Sequence, residues 1–253
     1  TAITPTLLCY TPIALDHRNV LGQTIEEIAY DKACAVRNHV PVVCAEQYPV
    51  AEQCLTSACE REHSKYIHAQ PIEENLVNCV HMRGIHQYRN ASLAVSAWNI
   101  LADILSVTSR QTSVCQGLST AYLPGRLQFV SISERYPAMI LDGGHNPHGI
   151  QTVLQSLKEL DVEPSALVYA CLEDKDWKNA LRLLKQAYHG KIPAYFPQLT
   201  NDRASNASEV ALFWYGQEKN VAKNPCECLV DLRKDQQFCT RPILVIGSIY
   251  LLS

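Results

Sequence analysis

The chain has 253 residues, of which 47% are hydrophobic and 19% are charged. These fractions are typical of globular proteins and exclude disordered and fibrous classes. The formal net charge of -3 gives no basic surface for nucleic acid. No apolar run approaches the roughly 18 residues of a membrane-spanning helix. At about 150 residues per domain, the length predicts one large domain or two modest ones, without a nucleic-acid or membrane partner.

The sequence opens on Thr1-Ala2-Ile3, with neither Met nor a signal-peptide segment, and this predicts a piece of a longer protein. The length of the chain argues against a disulfide framework, and its eleven cysteines, an odd number, must leave one unpaired. No C-x-x-C pair is present, which argues against a zinc knuckle. Several cysteines lie in apolar segments, including Cys9, Cys44 and Cys171, and we expect most of these to be small, reduced core residues of a cytoplasmic protein.

The first half contains a few recognisable elements. Thr24-Ile-Glu-Glu27 is a capping box that predicts a helix through about Asn38. Pro41–Ala45 is typical of a strand, and the apolar spacing over His86–Leu105 predicts a long helix. Ser106–Ser119 is rich in Ser, Thr and Gln, and we interpret it as a loop or linker that precedes the domain boundary.

The second half alternates strands with helices, which predicts βαβ units and a mostly parallel sheet. Pro147 at a first helical position and Asn146 as N-cap open one of these helices. The predicted strands are Ala138–Leu141, Ala166–Leu172, Ile192–Phe196 and Ile243–Ile246. Four helices are predicted. One begins after Asn146, one contains Ala180–Ala187, and the other two cover Ser208–Glu218 and Cys226–Phe238.

Polar clusters follow four of these strand ends. They are Asp142–Pro147, Glu173–Asp176, Asn201–Ser205 and Gly247-Ser248. In doubly wound sheets the carboxyl ends of the strands form the ligand crevice. Four such clusters on one edge predict a binding site there.

Several short sequence blocks follow one another along the whole chain. In the first half they are Leu15-Asp-His17, Leu21-Gly22, Thr24-Ile-Glu26, Lys32-Ala33 and Gly84-x-His-Gln-x-x-Asn-Ala91. In the second half they are Pro124-Gly-Arg126, Asp142-Gly-Gly-His-Asn-Pro147, Asp174-Lys-Asp176 and Gly247-Ser248. No single block is specific, but their order and spacing resemble those of folylpolyglutamate and dihydrofolate synthases, which belong to the Mur ligase superfamily.

The resemblance implies an α/β fold with two parts. Residues 1–121 would be the remnant of a central ATP-binding domain, and residues 122–253 a Rossmann-like C-terminal domain with a mostly parallel sheet. The implied activity is ATP-dependent addition of L-glutamate to dihydropteroate or a reduced folate through an acyl phosphate. ATP and Mg²⁺ would be the cofactors. The family is usually monomeric, so we expect a monomer.

The resemblance also implies a role for each matching residue. His17 and a carbamylated Lys32 would support the metal, and Lys32 and His145 would be catalytic. Asn90, Arg126 and Asp142 would bind ATP, while His145 and Ser248 would hold the acceptor glutamate.

Simpler interpretations exist for the same side chains. Standing alone, His17 is a strand-end cap, Lys32 a solvated helix residue and Asn90 a helix cap. Arg126 is equally a turn residue, and Asp142 with His145 is typical of an Asx-type turn before a helix.

The motif G-x-x-x-x-G-K-[ST], which cradles phosphates in P-loop enzymes, is absent from all 253 residues. Members of the resembled family carry it upstream of the first matching block. We therefore expect this chain to be incomplete and to lack ligase turnover on its own. A non-catalytic nucleotide- or folate-binding paralogue and another Mur-type amino-acid ligase remain alternatives.

Overall fold

The computed structural model describes residues 3–15, 21–235, 238 and 240–252. It divides the chain into two compact units. The first runs to His81 and continues over Ile85–Ala121, whereas the second combines Met82–Gly84 with the chain from Tyr122 onward. Among the described helices, none is long and apolar enough to cross a membrane.

The first unit contains a small parallel sheet with the strand order β1-β2-β3. Its strands are β1 (Leu8–Tyr10), β2 (Val42–Cys44) and β3 (Tyr66–His68). Its helices are α1 (Ile25–Ala33), α2 (Pro49–Arg61), α3 (Glu74–Val77), α4 (Ile85–Ile104) and α5 (Gln111–Thr120). Helices α1 and α2 pack on the sheet through a core that includes the fully buried Ile28 and Leu55.

The capping box at the start of α1 is confirmed. The Thr24 side chain accepts the Glu27 backbone N–H, and the Glu27 carboxylate accepts the Thr24 backbone N–H. The helix ends at Ala33, however, and the predicted extension to Asn38 is wrong. The backbone N–H groups of Ala35 and Val36 donate to carbonyls three residues earlier, and this tighter turn carries Val36 into the core.

The segment that we interpreted as a linker contains most of helix α5, so that interpretation is wrong for residues 111–119. Its polar composition was misleading because α5 lies on the surface and none of its ten residues is buried. A disulfide between Cys79 and Cys115 links α5 to the turn after α3. Cys79 and Cys115 are therefore exceptions to the expectation that most of the cysteines are reduced. Of the cysteines expected in the core, Cys44 and Cys171 are buried, whereas Cys9 is exposed.

The second unit contains a six-stranded sheet with the order β4-β5-β9-β6-β7-β8. Its strands are β4 (Gln128–Val130), β5 (Met139–Asp142), β6 (Ala166–Tyr169), β7 (Ala194–Pro197), β8 (Val221–Ala222) and β9 (Ile243–Ile246). Its helices are α6 (Pro147–Glu159), α7 (Trp177–Tyr188), α8 (Ala207–Tyr215) and α9 (Pro225–Lys234). All neighbouring strands pair in parallel except β4 and β5, which are antiparallel.

Both faces of this sheet are covered by helices, as parallel sheets require. Along β9, Leu244 and Ile246 belong to the core beneath α6, α7 and α8, while Ile243 and Val245 face the core that contains α9 residues. Ile246 pairs in register with Asp142 on one side and with Tyr169 on the other. Strands β5, β9 and β6 therefore end at the same edge, and the predicted α/β class with a mostly parallel sheet is confirmed.

Candidate functional site

The centre of the site is Asp142, the last residue of β5, which is only 4% exposed. One carboxylate oxygen accepts the backbone N–H of Leu127 and the other accepts that of Gly144, both over 2.7 Å. Burial raises the pKa of Asp142, while the two N–H donors and the nearby Arg126 and His145 act in the opposite direction. Asp142 therefore fixes two loops at the edge of the sheet.

The first of these loops contains Pro124-Gly125-Arg126. Gly125 has a φ of +68°, and its carbonyl accepts the Gly143 N–H over 2.8 Å. A Cβ atom on Gly143 would lie 3.4 Å from a guanidinium nitrogen of Arg126 and 3.8 Å from the Cβ of Ile249. The exposed Arg126 side chain thus lies directly over the backbone that follows β5.

The second loop leads into α6. Asn146 is the N-cap of this helix, its side chain accepts the Gly149 N–H over 2.8 Å, and Pro147 occupies the first turn, as predicted. The Nδ1 atom of His145 lies 3.0 Å from the Gly143 carbonyl, which requires Nδ1 to donate its proton. This bond orients the imidazole ring at the positive end of the helix dipole.

Ser248 lies beyond the end of β9, is 3% exposed and caps a short 3₁₀ turn at Ile249–Leu251. Its Oγ accepts the Tyr250 N–H over 3.2 Å, which leaves the hydroxyl proton available as a donor. The preceding Gly247 has a φ of +126°, and a Cβ atom there would come within 2.4 Å of the Ala170 carbonyl. Only glycine permits this close approach between the chains that follow β9 and β6.

The loops after β6 and β7 are also joined to each other. Glu173 donates its backbone N–H to the Arg203 carbonyl over 2.8 Å, and the Arg203 guanidinium pairs with Asp174. Beneath them, the buried Cys171 thiol donates to the Ser205 hydroxyl over 3.3 Å. Burial raises the pKa of Cys171 to about 11, so this thiol stays protonated at neutral pH.

The structure brings four of the predicted residues to one edge of the second unit, namely Arg126, Asp142, His145 and Ser248. Two predicted residues belong to the first unit. Lys32 is exposed on α1, and Asn90 lies near the start of α4, where its side-chain amide donates to the Gln87 side chain over 3.0 Å. His17 lies outside the described residues.

A magnesium site is not evident in the described part of the chain, where no group of three His, Cys, Asp or Glu side chains lies close enough to hold a metal ion. Lys32 without a carbamyl group is a cation and supplies no metal ligand. The described residues therefore do not form a magnesium site by themselves, and His17 lies outside them.

Sequence reasoning missed the contribution of the backbone. The amide of Leu127 is an essential donor to Asp142, and no side-chain motif marks it. Arg203 was also missed as an individual residue, although its loop was predicted to lie at this edge. The sequence feature that could have indicated Arg203 is its position in the polar, glycine-free loop between a predicted strand and a predicted helix.

Part of the second unit matches a family of known proteins. Residues 125–210 match the family described as "Mur ligase, glutamate ligase domain", and a Mur ligase C-terminal domain is therefore present. The dihydrofolate synthase/folylpolyglutamate synthase of Bacillus subtilis is 26% identical over 99% of the chain, and the folylpolyglutamate synthase of Lacticaseibacillus casei is 25% identical over 99%. The chain is a homologue of these synthases.

Solved structures of such synthases share the fold. Escherichia coli FolC in complex with DHPP and ADP has a TM-score of 0.80 at 23% identity over 98% of the chain. Mycobacterium tuberculosis folylpolyglutamate synthase complexed with ADP and AMPPCP has a TM-score of 0.81 at 20% identity over 99%. The chain spans 62% and 61% of the length of the two curated relatives, and 59% and 63% of these two structures.

Proposed function

We propose that this chain contributes the glutamate-adding part of an ATP-dependent amide ligase. The substrates would be dihydropteroate or a reduced folate, L-glutamate and ATP. The observation that carries the proposal is the cluster of Arg126, Asp142, His145 and Ser248 on one edge of a sheet whose domain matches the glutamate ligase family. Relatives that match 99% of the chain are glutamate ligases of this kind.

The first half-reaction joins two anions. A substrate carboxylate attacks the terminal phosphate of ATP, which gives an acyl phosphate and ADP. Fixed positive charge must offset the repulsion as the anions approach. Arg126 supplies a permanently charged guanidinium with several donors, which suits bidentate contact with phosphate oxygens.

The second half-reaction needs a neutral amine beside the activated carbonyl. Glutamate displaces phosphate, the new C–N bond forms, and the amine loses a proton. Holding the nucleophile in place supplies much of the rate acceleration of such a reaction. His145 and Ser248 are assigned to the acceptor glutamate, because the Ser248 hydroxyl keeps a donor for a carboxylate and the His145 ring is already oriented.

Asp142 has a more specific role than the sequence suggested. Both of its carboxylate oxygens accept backbone N–H groups, and these two hydrogen bonds hold the loops that carry Arg126 and His145 in place. A hydrogen bond from the nucleotide ribose would use the remaining lone pairs of these oxygens.

The first unit is assigned to the nucleotide and its metal. Asn90 would contact adenine, and the exposed Lys32 can be reached by carbon dioxide for carbamylation. Together with His17, the carbamylated side chain would supply oxygen and nitrogen ligands for magnesium.

A second candidate is a binding module that retains the crevice without phosphoryl transfer. It is favoured by one observation, the absence of G-x-x-x-x-G-K-[ST] from the 253 residues. A ligase would need this phosphate-binding loop from elsewhere, whether in the same polypeptide or in another.

Joining a P-loop segment, of the kind that the resembled family carries upstream, to the amino end of this chain separates these candidates. Phosphate release that depends on both glutamate and dihydropteroate or folate supports the ligase, and we expect none from the 253 residues alone. A folded fusion that binds nucleotide or folate in calorimetry without turnover supports the binding module. Turnover only with other amino acids or acceptors would indicate another Mur-type ligase.

A further inference from the structure

Helix α5 is held on the first unit without any contribution from a buried side chain. All ten of its residues are at least partly exposed. The preceding residues 103–110 are exposed as well, and Ser106 has a φ of +54°, in the left-handed region that non-glycine residues rarely adopt. A helix of this length is not stable by itself in water, so its attachment must come from the contacts it makes.

The contacts of α5 are with α3, the turn that follows α3, and α4. Cys115 on α5 forms the disulfide with Cys79, and the Leu118 carbonyl accepts the His81 N–H over 3.3 Å. Gln111 and Val114 form one wall of a groove of about 330 Å³ whose other walls include Leu76 on α3 and Val95 on α4. The covalent bond thus holds a weakly packed helix over a partly open groove.

The bond is also chemically accessible. Cys79 and Cys115 are only partly buried. Eight other cysteines in the described ranges are free thiols, and four of them are buried. Free thiols persist in reducing surroundings, where an accessible disulfide is typically transient and regulatory rather than structural.

We propose that the Cys79–Cys115 disulfide is a reversible redox switch that docks and releases α5. A dithiol reductant supplies the two electrons. Its thiolate attacks one sulfur of the pair and breaks the Cys79–Cys115 bond to give a mixed disulfide. Its second thiol then displaces the remaining protein sulfur, so that the reductant becomes a disulfide and both cysteines end as protonated thiols. Exchange with an oxidised dithiol reverses the step.

Release of α5 removes one wall of the groove and lengthens the exposed connection that follows α4. The switch therefore acts on the local order of the first unit. The switch is independent of ligase activity, because it requires only the Cys79–Cys115 bond and the exposed position of α5.

Hydrogen–deuterium exchange on the 253-residue chain tests this proposal directly. In the oxidised protein, peptide mapping finds Cys79 joined to Cys115 and the amides of α5 are protected. Addition of dithiothreitol accelerates hydrogen exchange in α5 by at least about tenfold, because the reduced helix opens locally without the restraint of the disulfide. Helix α2, which is packed in the core of the same unit, keeps its exchange rate.

Variants provide the matched control. Under oxidising conditions the C79S/C115S double variant exchanges in α5 as fast as the reduced wild type, whereas C226S, which removes an exposed free thiol, behaves as the wild type does. Exchange in α5 that is the same before and after reduction overturns the proposal. So does peptide mapping that finds the two cysteines unlinked in the oxidised chain.

Discussion

The buried carboxylate of Asp142 accepts the backbone N–H of Leu127 over 2.7 Å, across fifteen positions of the sequence. Leu127 is itself 1% exposed and leads directly into β4, so this bond ties the loop that carries Arg126 to the end of β5. The opposite oxygen of the same carboxylate holds Gly144. One side chain therefore sets the relative position of the two loops to which we assign the phosphate and glutamate contacts.

Replacing Asp142 by Asn tests this arrangement. An Asn side chain offers one acceptor oxygen, so either the Leu127 or the Gly144 N–H loses its partner and faces an NH₂ group. Leaving a buried donor unpaired costs about 1–3 kcal/mol, and we expect a loss of this size in the free energy of unfolding measured in urea at pH 7. The exposed Asp174→Asn, which removes the negative charge from the surface pair with Arg203, should cost less than about 1 kcal/mol. Equal losses for both variants would contradict a special role for Asp142.

Replacing Gly247 by Ala tests the close approach beside Ser248. The new methyl group would lie 2.4 Å from the Ala170 carbonyl in a backbone conformation with φ of +126°. Gly190→Ala is the matched control, because Gly190 also has a positive φ, of +77°, but open space around its Cβ position. We expect thermal unfolding to show a cost of roughly 1–3 kcal/mol for Gly190→Ala and a clearly larger one for Gly247→Ala. An equal loss in the free energy of unfolding for the two variants would show that the close contact with the Ala170 carbonyl adds no cost.

The buried thiol of Cys171 predicts a dependence of stability on alkaline pH. Its pKa is raised by burial to about 11, whereas the unfolded chain has the ordinary value. Between these two values the unfolded state binds fewer protons than the native state, so the free energy of unfolding falls as pH rises. Below this range the protonated thiol contributes fully. We therefore expect the stability advantage of the wild type over Cys171→Ala to shrink between about pH 8.5 and pH 11. An advantage that stays constant over this range would show that the thiol is not buried as described.

The sequence predicted the second unit better than the first, for physical reasons. The Pro147 helix and the strand Ile243–Ile246 combine strong apolar patterns with clear caps, and both occur where predicted. In the first unit, β1 and β3 have only three residues each, which is too short for an alternating pattern. Helix α2 was missed because its N-cap, Tyr48, is not a residue type that caps helices, and Pro49 in its first turn is by itself a weak signal.

The candidate site shows the same division. Motifs identified the side chains of Arg126, Asp142, His145 and Ser248, because their residue types are characteristic. They did not show that both Asp142 oxygens are used by backbone donors, since a backbone N–H leaves no trace in residue identity. The disulfide partners Cys79 and Cys115 were equally hidden, because spacing along the chain does not determine which thiols meet.

Product formation by the chain joined to a P-loop segment measures whether the residues on these loops take part in the addition of glutamate. Arg126→Ala should lower ATP- and glutamate-dependent formation of the glutamylated product by about 100-fold or more, since it removes fixed charge from the phosphates. Arg241→Ala removes an arginine that pairs with Glu163 before β9, at the opposite edge of the sheet, and should leave product formation unchanged. A folded fusion that makes no glutamylated product, or equal activity of the two variants, would contradict the account.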